Sequence, residues 1–239
     1  MNLRTRCLKR LLPLLLLAVF LAGTAYVNDY YRASDTALAA LDSTDSVAVS
    51  AAADRVVFRP EAPKAGLIFY PGGKVEFTAY APLMQALAQE DVLCILLKMP
   101  LNLAVLDVDA AQGLRAEYPE VSRWYLGGHS LGGSMAASHI AGESGYDGLL
   151  LLASYSTADL SESGLQVLSI YGTGDGVLNG EKYQQYRSNL PQDTRELVIY
   201  GGNHAQFGSY GLQDGDGEAA ISAADQWSLT AEAFSGLLN

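Results

Sequence analysis

The sequence predicts an α/β architecture, a mainly parallel sheet with helices on both faces and no large lid. Three observations predict it. Short continuous apolar runs, among them Leu67-Ile68-Phe69-Tyr70 and Val92 to Leu97, have the pattern of strands buried on both faces. Segments of helical spacing lie between them, so strands and helices alternate. The pieces joining strand to helix are short. Ser154 to Gly164 has no room for a large helical lid, so the pocket is expected to be open and to suit a small or exposed substrate.

The chain begins with basic residues, Arg4, Arg6, Lys9 and Arg10, followed by an apolar run from Leu11 to about Val27. This pattern fits an uncleaved membrane anchor or a signal peptide, with Gly23 and Ala25 as a passable cleavage site. The anchor is the favoured expectation. The basic flank would then stay in the cytoplasm and the rest of the chain would lie outside, in the cell membrane or, if cleaved, secreted. Residues 28–46 read as a connector with a short helical pattern, and residues 47–239 as the folded domain.

Within the domain, Val47-Ala48-Val49 and Arg55 to Phe58 read as a hairpin. The Leu67 strand ends at Pro71-Gly72-Gly73. Thr78 to Gln89 reads as a helix, and Val92 to Leu97 as the next buried strand. Val105 to Tyr118 is expected to be helical up to Pro119. A strand at Trp124 to Leu126 leads to Gly128-His129-Ser130-Leu131-Gly132 and a helical run from Met135. Strands follow at Gly148 to Ala153, Gln166 to Tyr171 and Arg195 to Tyr200. A helix is expected over Gly180 to Asn189. The last helix carries an apolar stripe at Ala220, Ala224, Trp227, Ala231, Phe234 and Leu238, which is core packing.

A chain of 239 residues, 49% of them hydrophobic, is enough for one domain with a real core. A formal net charge of -11 argues against nucleic acid and against an anionic membrane surface as partners. Of the two cysteines, Cys7 precedes the apolar segment and Cys94 sits in a core strand, so no disulfide is expected.

The chemistry centres on Ser130. A G-x-S-x-G pentapeptide between strand and helix makes a sharp turn that exposes the serine, with glycines where strand and helix approach closely. The backbone N–H of Leu131 then opens a helix and points at an oxyanion formed there. A serine hydroxyl needs a base, and the base needs an orienting carboxylate. Of three histidines, His129 adjoins Ser130 and should point away from it, and His139 lies too far along the following helix. His204, in the loop after the last strand, is the candidate base. Asp175, in Gly172-Thr173-Gly174-Asp175, follows a buried strand and is the candidate acid; Asp159, Glu162 and Asp193 are its rivals. Gly73, with Lys74 next, is the candidate second oxyanion donor. Asp214-Gly215-Asp216-Gly217-Glu218 lacks the spacing of a calcium loop and reads as an acidic turn. Tyr70, Phe77, Tyr80, Tyr155, Phe207 and Tyr210 lie near strand ends without an assigned role.

With Tyr70-Pro71-Gly72-Gly73, Gly128-His129-Ser130-Leu131-Gly132, Gly172-Thr173-Gly174-Asp175 and Gly202-Asn203-His204 in this order, the chain from about Val47 resembles the α/β-hydrolase superfamily. It looks most like the compact bacterial group related to dienelactone hydrolases and small carboxylesterases. The resemblance implies the α/β-hydrolase fold, a triad of Ser130, Asp175 and His204, and hydrolysis of a carboxylic ester, with amide and thioester as neighbouring substrates. It implies no metal or organic cofactor and a small-molecule acyl substrate as partner; the expected membrane contact rests instead on the basic and apolar residues that open the chain. Dienelactone hydrolases are expected to carry a cysteine nucleophile, so Ser130 points away from that activity. Many relatives have His-Gly where this chain has Pro71-Gly72. An acyltransferase on the same triad and a non-catalytic binding protein on the same scaffold are the alternatives.

Overall fold

The computed structural model describes residues 3–238, with the side chains of residues 15–21 and 23–238. The chain forms two compact units, Met1–Tyr30 and Tyr31–Asn239. The first contains helix α1 (Leu3–Asn28). Among the described residues no helix is long and apolar enough to cross a membrane. The expected anchor therefore gains no support from them; its basic flank and first apolar residues lie outside the described side chains, as does Cys7.

The second unit is built on eight strands: β1 (Val47–Ala51), β2 (Arg55–Pro60), β3 (Ala65–Tyr70), β4 (Val92–Leu97), β5 (Trp124–His129), β6 (Gly148–Leu152), β7 (Gln166–Gly172) and β8 (Arg195–Ile199). Their order is β1-β2-β4-β3-β5-β6-β7-β8. β1 and β2 form the expected hairpin, β2 runs antiparallel to β4, and β3 to β8 are parallel. Helices α2 (Asp35–Ala39), α3 (Ala81–Gln89), α4 (Leu131–Ile140), α5 (Gly180–Gln185) and α6 (Ala223–Leu238) complete the unit.

Side chains alternate across a strand, so a continuous apolar run feeds two cores. Leu67 and Phe69 pack on one face with Leu83, Met84 and Phe234 from α3 and α6. Ile68 and Tyr70 pack on the other with Leu126, Ala136 and Leu151. Each fully buried side chain of this size contributes about 1.5–3 kcal/mol relative to exposure. Cys94 is free and buried in β4, and burial pushes its thiol pKa up.

The sheet order places the site. β4 lies on one side of β3 and β5 on the other, so the chain reverses its direction of travel between them. A crevice opens at the carboxyl ends of the strands where this happens. Tyr70 at the end of β3 is level with Gly128 of β5, which brings Pro71-Gly72-Gly73 alongside Ser130.

The expected helix over Val105 to Tyr118 does not form. The stretch is a series of short 3₁₀ turns, including Ala104–Leu106 and Leu114–Glu117, with Gly113 at φ 78°. The Tyr70 hydroxyl explains the interruption. It donates to the Val108 carbonyl at 2.7 Å and accepts from the Ala111 N–H at 3.0 Å, drawing both groups out of a helical ladder. The final helix keeps most of the expected stripe, with Trp227 and Leu238 packed against the core beside Ala231 and Phe234. Ala231 and Phe234 are buried, Ala220 and Ala224 are exposed, and the polar Gln226 and Thr230 are fully buried. Residues expected as a connector also join the second unit. The Tyr31 N–H donates to the Lys74 carbonyl and the Glu76 N–H to the Tyr31 carbonyl, both at 2.8 Å, flanking the loop after β3.

Candidate active site

Ser130 sits between β5 and α4 at φ 52°, ψ -123°. Residues other than glycine reach this region at a cost of about 1–3 kcal/mol, so the surroundings must impose it. They do so from both sides: the Ser130 N–H donates to the Leu152 carbonyl at 2.9 Å, and Ser154 Oγ donates to the Ser130 carbonyl at 2.7 Å. The close approach of strand and helix explains the glycines. A Cβ on Gly132 would lie 2.3 Å from the carbonyl oxygens of both Tyr70 and Pro71, and one on Gly128 would lie 2.6 Å from the Gly132 backbone.

His204 and Asp175 come together from the loops after β8 and β7. His204 Nδ1 lies 2.9 Å from Asp175 Oδ2 and 3.1 Å from Oδ1, with the side chains 1% and 2% exposed. Asp175 Oδ1 also accepts the N–H groups of Val177 at 2.9 Å and Leu178 at 2.8 Å, which fixes the carboxylate plane. The carboxylate leaves Nδ1 as the protonated nitrogen, and Nε2 is free to act as a base. Nε2 makes no hydrogen bond with any described residue, so Ser130 Oγ is not bonded to it. Both residues nevertheless border one cavity of about 240 Å³, together with Leu131, Tyr155, Val177 and Leu178. Such a contact often tightens only when substrate is bound.

The rival residues serve elsewhere. Asp159 Oδ1 accepts from the Ser161 hydroxyl and N–H, which hold its carboxyl below the usual range. Asp159 and Glu162 line a separate cavity that shares no residue with that of Ser130. Asp193 is exposed. His139 pairs with Asp109 at 2.9 Å and lines no part of the Ser130 cavity.

In the loop after β3, the Gly72 N–H donates to Tyr80 Oη at 3.0 Å, that of Lys74 to the Asn102 carbonyl at 2.8 Å, and that of Val75 to the Gly72 carbonyl at 3.4 Å. The second-choice donor, Lys74, is thus engaged within the fold. Gly73 packs against the first residue of α4: a Cβ on it would meet Leu131 Cδ2 at 2.9 Å. The N–H groups of a helix's first turn have no partner in the helix, so the Leu131 N–H belongs to the same corner.

His129 does not simply point away. Its ring lies against that of His204, with centroids 4.4 Å apart, and Phe207 flanks it at 5.6 Å. His129 Nδ1 is 2.7 Å from Tyr80 Oη. Tyr80 Oη thus meets both the Gly72 N–H and His129 Nδ1, and the direction of the second bond follows the His129 tautomer. Burial first, and then the neighbouring His204 imidazole, push the His129 pKa well below its usual value; the His204 carbonyl opposes them. His129 is therefore a neutral wall behind the candidate base. A histidine at this position is visible in the sequence, but its partner Tyr80 is 49 residues away, and local spacing does not signal the pairing.

Tyr80→Phe removes the acceptor of the Gly72 N–H and the hydrogen-bond partner of His129 Nδ1. We expect a stability loss of about 1–3 kcal/mol, the cost of buried groups left unpaired, measured by urea unfolding. We also expect turnover to fall about tenfold as the loop bearing Gly73 shifts. Unchanged stability and turnover would show that this network supports neither.

The model of a family described as alpha/beta hydrolase matches residues 66–228, spanning all the candidate site residues. No curated protein sequence matches the chain. Among solved structures, carboxyl esterase 2 of the mycorrhizal fungus Tuber melanosporum is similar at TM-score 0.60 and 12% identity, covering 88% of this chain and 92% of that one. Est1E from Butyrivibrio proteoclasticus is similar at TM-score 0.57 and 12% identity, covering 81% and 99%. The esterase of Pyrobaculum calidifontis is similar at 0.55 and 14%, covering 84% and 89%. At these identities the likeness is one of fold.

Proposed function

Because the chain belongs to the alpha/beta hydrolase family, we propose that it is a serine hydrolase that cleaves carboxylic esters through an acyl-enzyme. The observation that carries this reading is the buried Asp175–His204 contact at 2.9 Å, with His204 Nε2 unpaired and both His204 and Ser130, the latter on a strained turn, lining one cavity.

In this reading Ser130 Oγ attacks the carbonyl carbon while His204 Nε2 takes its proton. The carbonyl oxygen becomes an oxyanion held by the Leu131 and Gly73 N–H groups. Asp175 steadies the imidazolium. His204 returns the proton to the leaving alkoxide as the C–O bond breaks, leaving an acyl-serine and a free alcohol. Water, deprotonated by His204, then releases the carboxylic acid and regenerates Ser130. The cavity, at about 240 Å³, is below the usual range for drug-sized ligands. Apart from His204 its lining holds no ionisable group except the Tyr155 phenol, which favours a small, neutral acyl group.

The test is fluorophosphonate labelling of the full chain, followed by hydrolysis of p-nitrophenyl esters of increasing acyl length. We expect labelling and a kcat/KM that falls about tenfold or more beyond short chains, as the acyl group outgrows the cavity. A folded protein that takes no label would instead support a binding protein, the reading favoured by the open contact between Ser130 and His204. Product appearing only with an added alcohol or thiol acceptor would identify an acyltransferase.

A further inference from the structure

The turn Asp214-Gly215-Asp216-Gly217-Glu218, a plain acidic turn in the sequence, sits beneath the candidate triad. It packs backbone to backbone against the loop that carries Asp175. A Cβ on Gly217 would lie 2.1 Å from the Gly174 carbonyl oxygen, and one on Gly176 would lie 2.4 Å from that of Gly215. From this seat the half-buried Asp216 carboxylate gathers four backbone donors. Oδ1 accepts from the N–H groups of Gly176 at 3.1 Å, His204 at 3.2 Å and Gly217 at 2.9 Å. Oδ2 accepts from the N–H of Ala205 at 2.8 Å.

Two of these donors belong to the histidine itself and its successor, and a third follows Asp175 directly. One carboxylate thus ties the acid's loop to the base's loop. We propose that Asp216 is a positioning residue for the Asp175–His204 pair, a role that rests on the triad reading above. Backbone N–H bonds to a carboxylate are stronger than those to a neutral acceptor, and two loops carrying reacting groups need a fixed separation. Gln226, fully buried in α6, holds the preceding residue: its Oε1 accepts the Asn203 N–H at 3.1 Å, and its Nε2 donates to the Asn203 carbonyl at 2.9 Å. Loss of Asp216 therefore leaves the loop anchored before His204 but free to drift at His204, a local change rather than a collapse.

The experiment compares Asp216→Ala and Asp216→Asn in the full chain, reading kcat, KM and the thermal midpoint. Asp216→Ala is expected to lower kcat about 30- to 100-fold with KM within about twofold, the loss typical of a small displacement of reacting groups. Asp216→Asn keeps one carbonyl oxygen for three of the four donors, and its kcat should fall only about two- to fivefold.

Wild-type kcat in Asp216→Ala, at any thermal midpoint, would overturn the proposal. Equal losses in both variants would overturn it as well, since charge rather than geometry would then be responsible. Should the alanine variant not fold, Asp216→Asn decides: a two- to fivefold fall in kcat at unchanged KM supports the role, and a parental kcat overturns it. A parent protein that neither labels nor turns over overturns the triad reading itself. An active parent, inactive Ser130→Ala and unimpaired Asp216→Ala overturn the positioning role alone.

Discussion

Ser130→Ala is expected to lower kcat by about 10⁵- to 10⁶-fold and to abolish fluorophosphonate labelling, the size of loss seen when a triad nucleophile is removed. The residual rate would come from the oxyanion donors and binding, so KM should change little. Alanine inherits the backbone at φ 52°, ψ -123°, so its strain is undiminished and stability should stay near that of the parent. Ser130→Gly provides the complementary measurement. Glycine reaches this region without steric cost, so this variant should be equally inactive but more stable by about 1–2 kcal/mol in urea unfolding. An inactive and stabilised glycine variant beside an inactive, unstabilised alanine variant would locate the strain in the backbone of the nucleophile. Substantial turnover by either one would remove Ser130 from the chemistry.

Asp175→Asn is expected to lower kcat about 10⁴-fold with KM nearly unchanged. The structure gives a specific reason. Asp175 Oδ1 is committed to the N–H groups of Val177 and Leu178, while Oδ2 faces His204 Nδ1 at 2.9 Å. An asparagine keeps its carbonyl where two donors meet it, so its amide nitrogen takes the position of Oδ2. That group donates, and His204 must then place its proton on Nε2. The nitrogen that should accept from Ser130 is thereby blocked. The loss should appear in turnover and in the rate of labelling, with the fold intact by circular dichroism. An asparagine variant retaining more than about a tenth of the parent's kcat would show that Asp175 does not set the tautomer.

Much of this molecule is written in adjacent residues. The strand positions follow from short apolar runs, because a sheet covered on both faces accepts such runs and little else. The turn at Ser130 follows from small residues at 128 and 132, and the structure shows backbone within 2.6 Å of where either side chain would begin. The order of Ser130, Asp175 and His204 after successive strands brought the candidate residues into view, and the structure brings Asp175 and His204 into contact and sets both Ser130 and His204 on one cavity.

Tertiary structure decided the rest. Periodicity carries no record of strand order, so the placement of β3 between β4 and β5, which creates the crevice, could not be read from it. Helical spacing at Val105 to Tyr118 was overruled by one hydroxyl, Tyr70, from a strand 38 and 41 residues earlier in the chain. The polar residues that hold the site, Tyr80 against Gly72 and His129, Gln226 around Asn203, and Asp216 beneath His204, resemble ordinary surface or core positions in sequence. Their meaning lies in partners far along the chain. Local propensity is fixed by neighbours in the chain, whereas satisfying a buried polar group requires a partner that only the folded sheet brings within 3 Å.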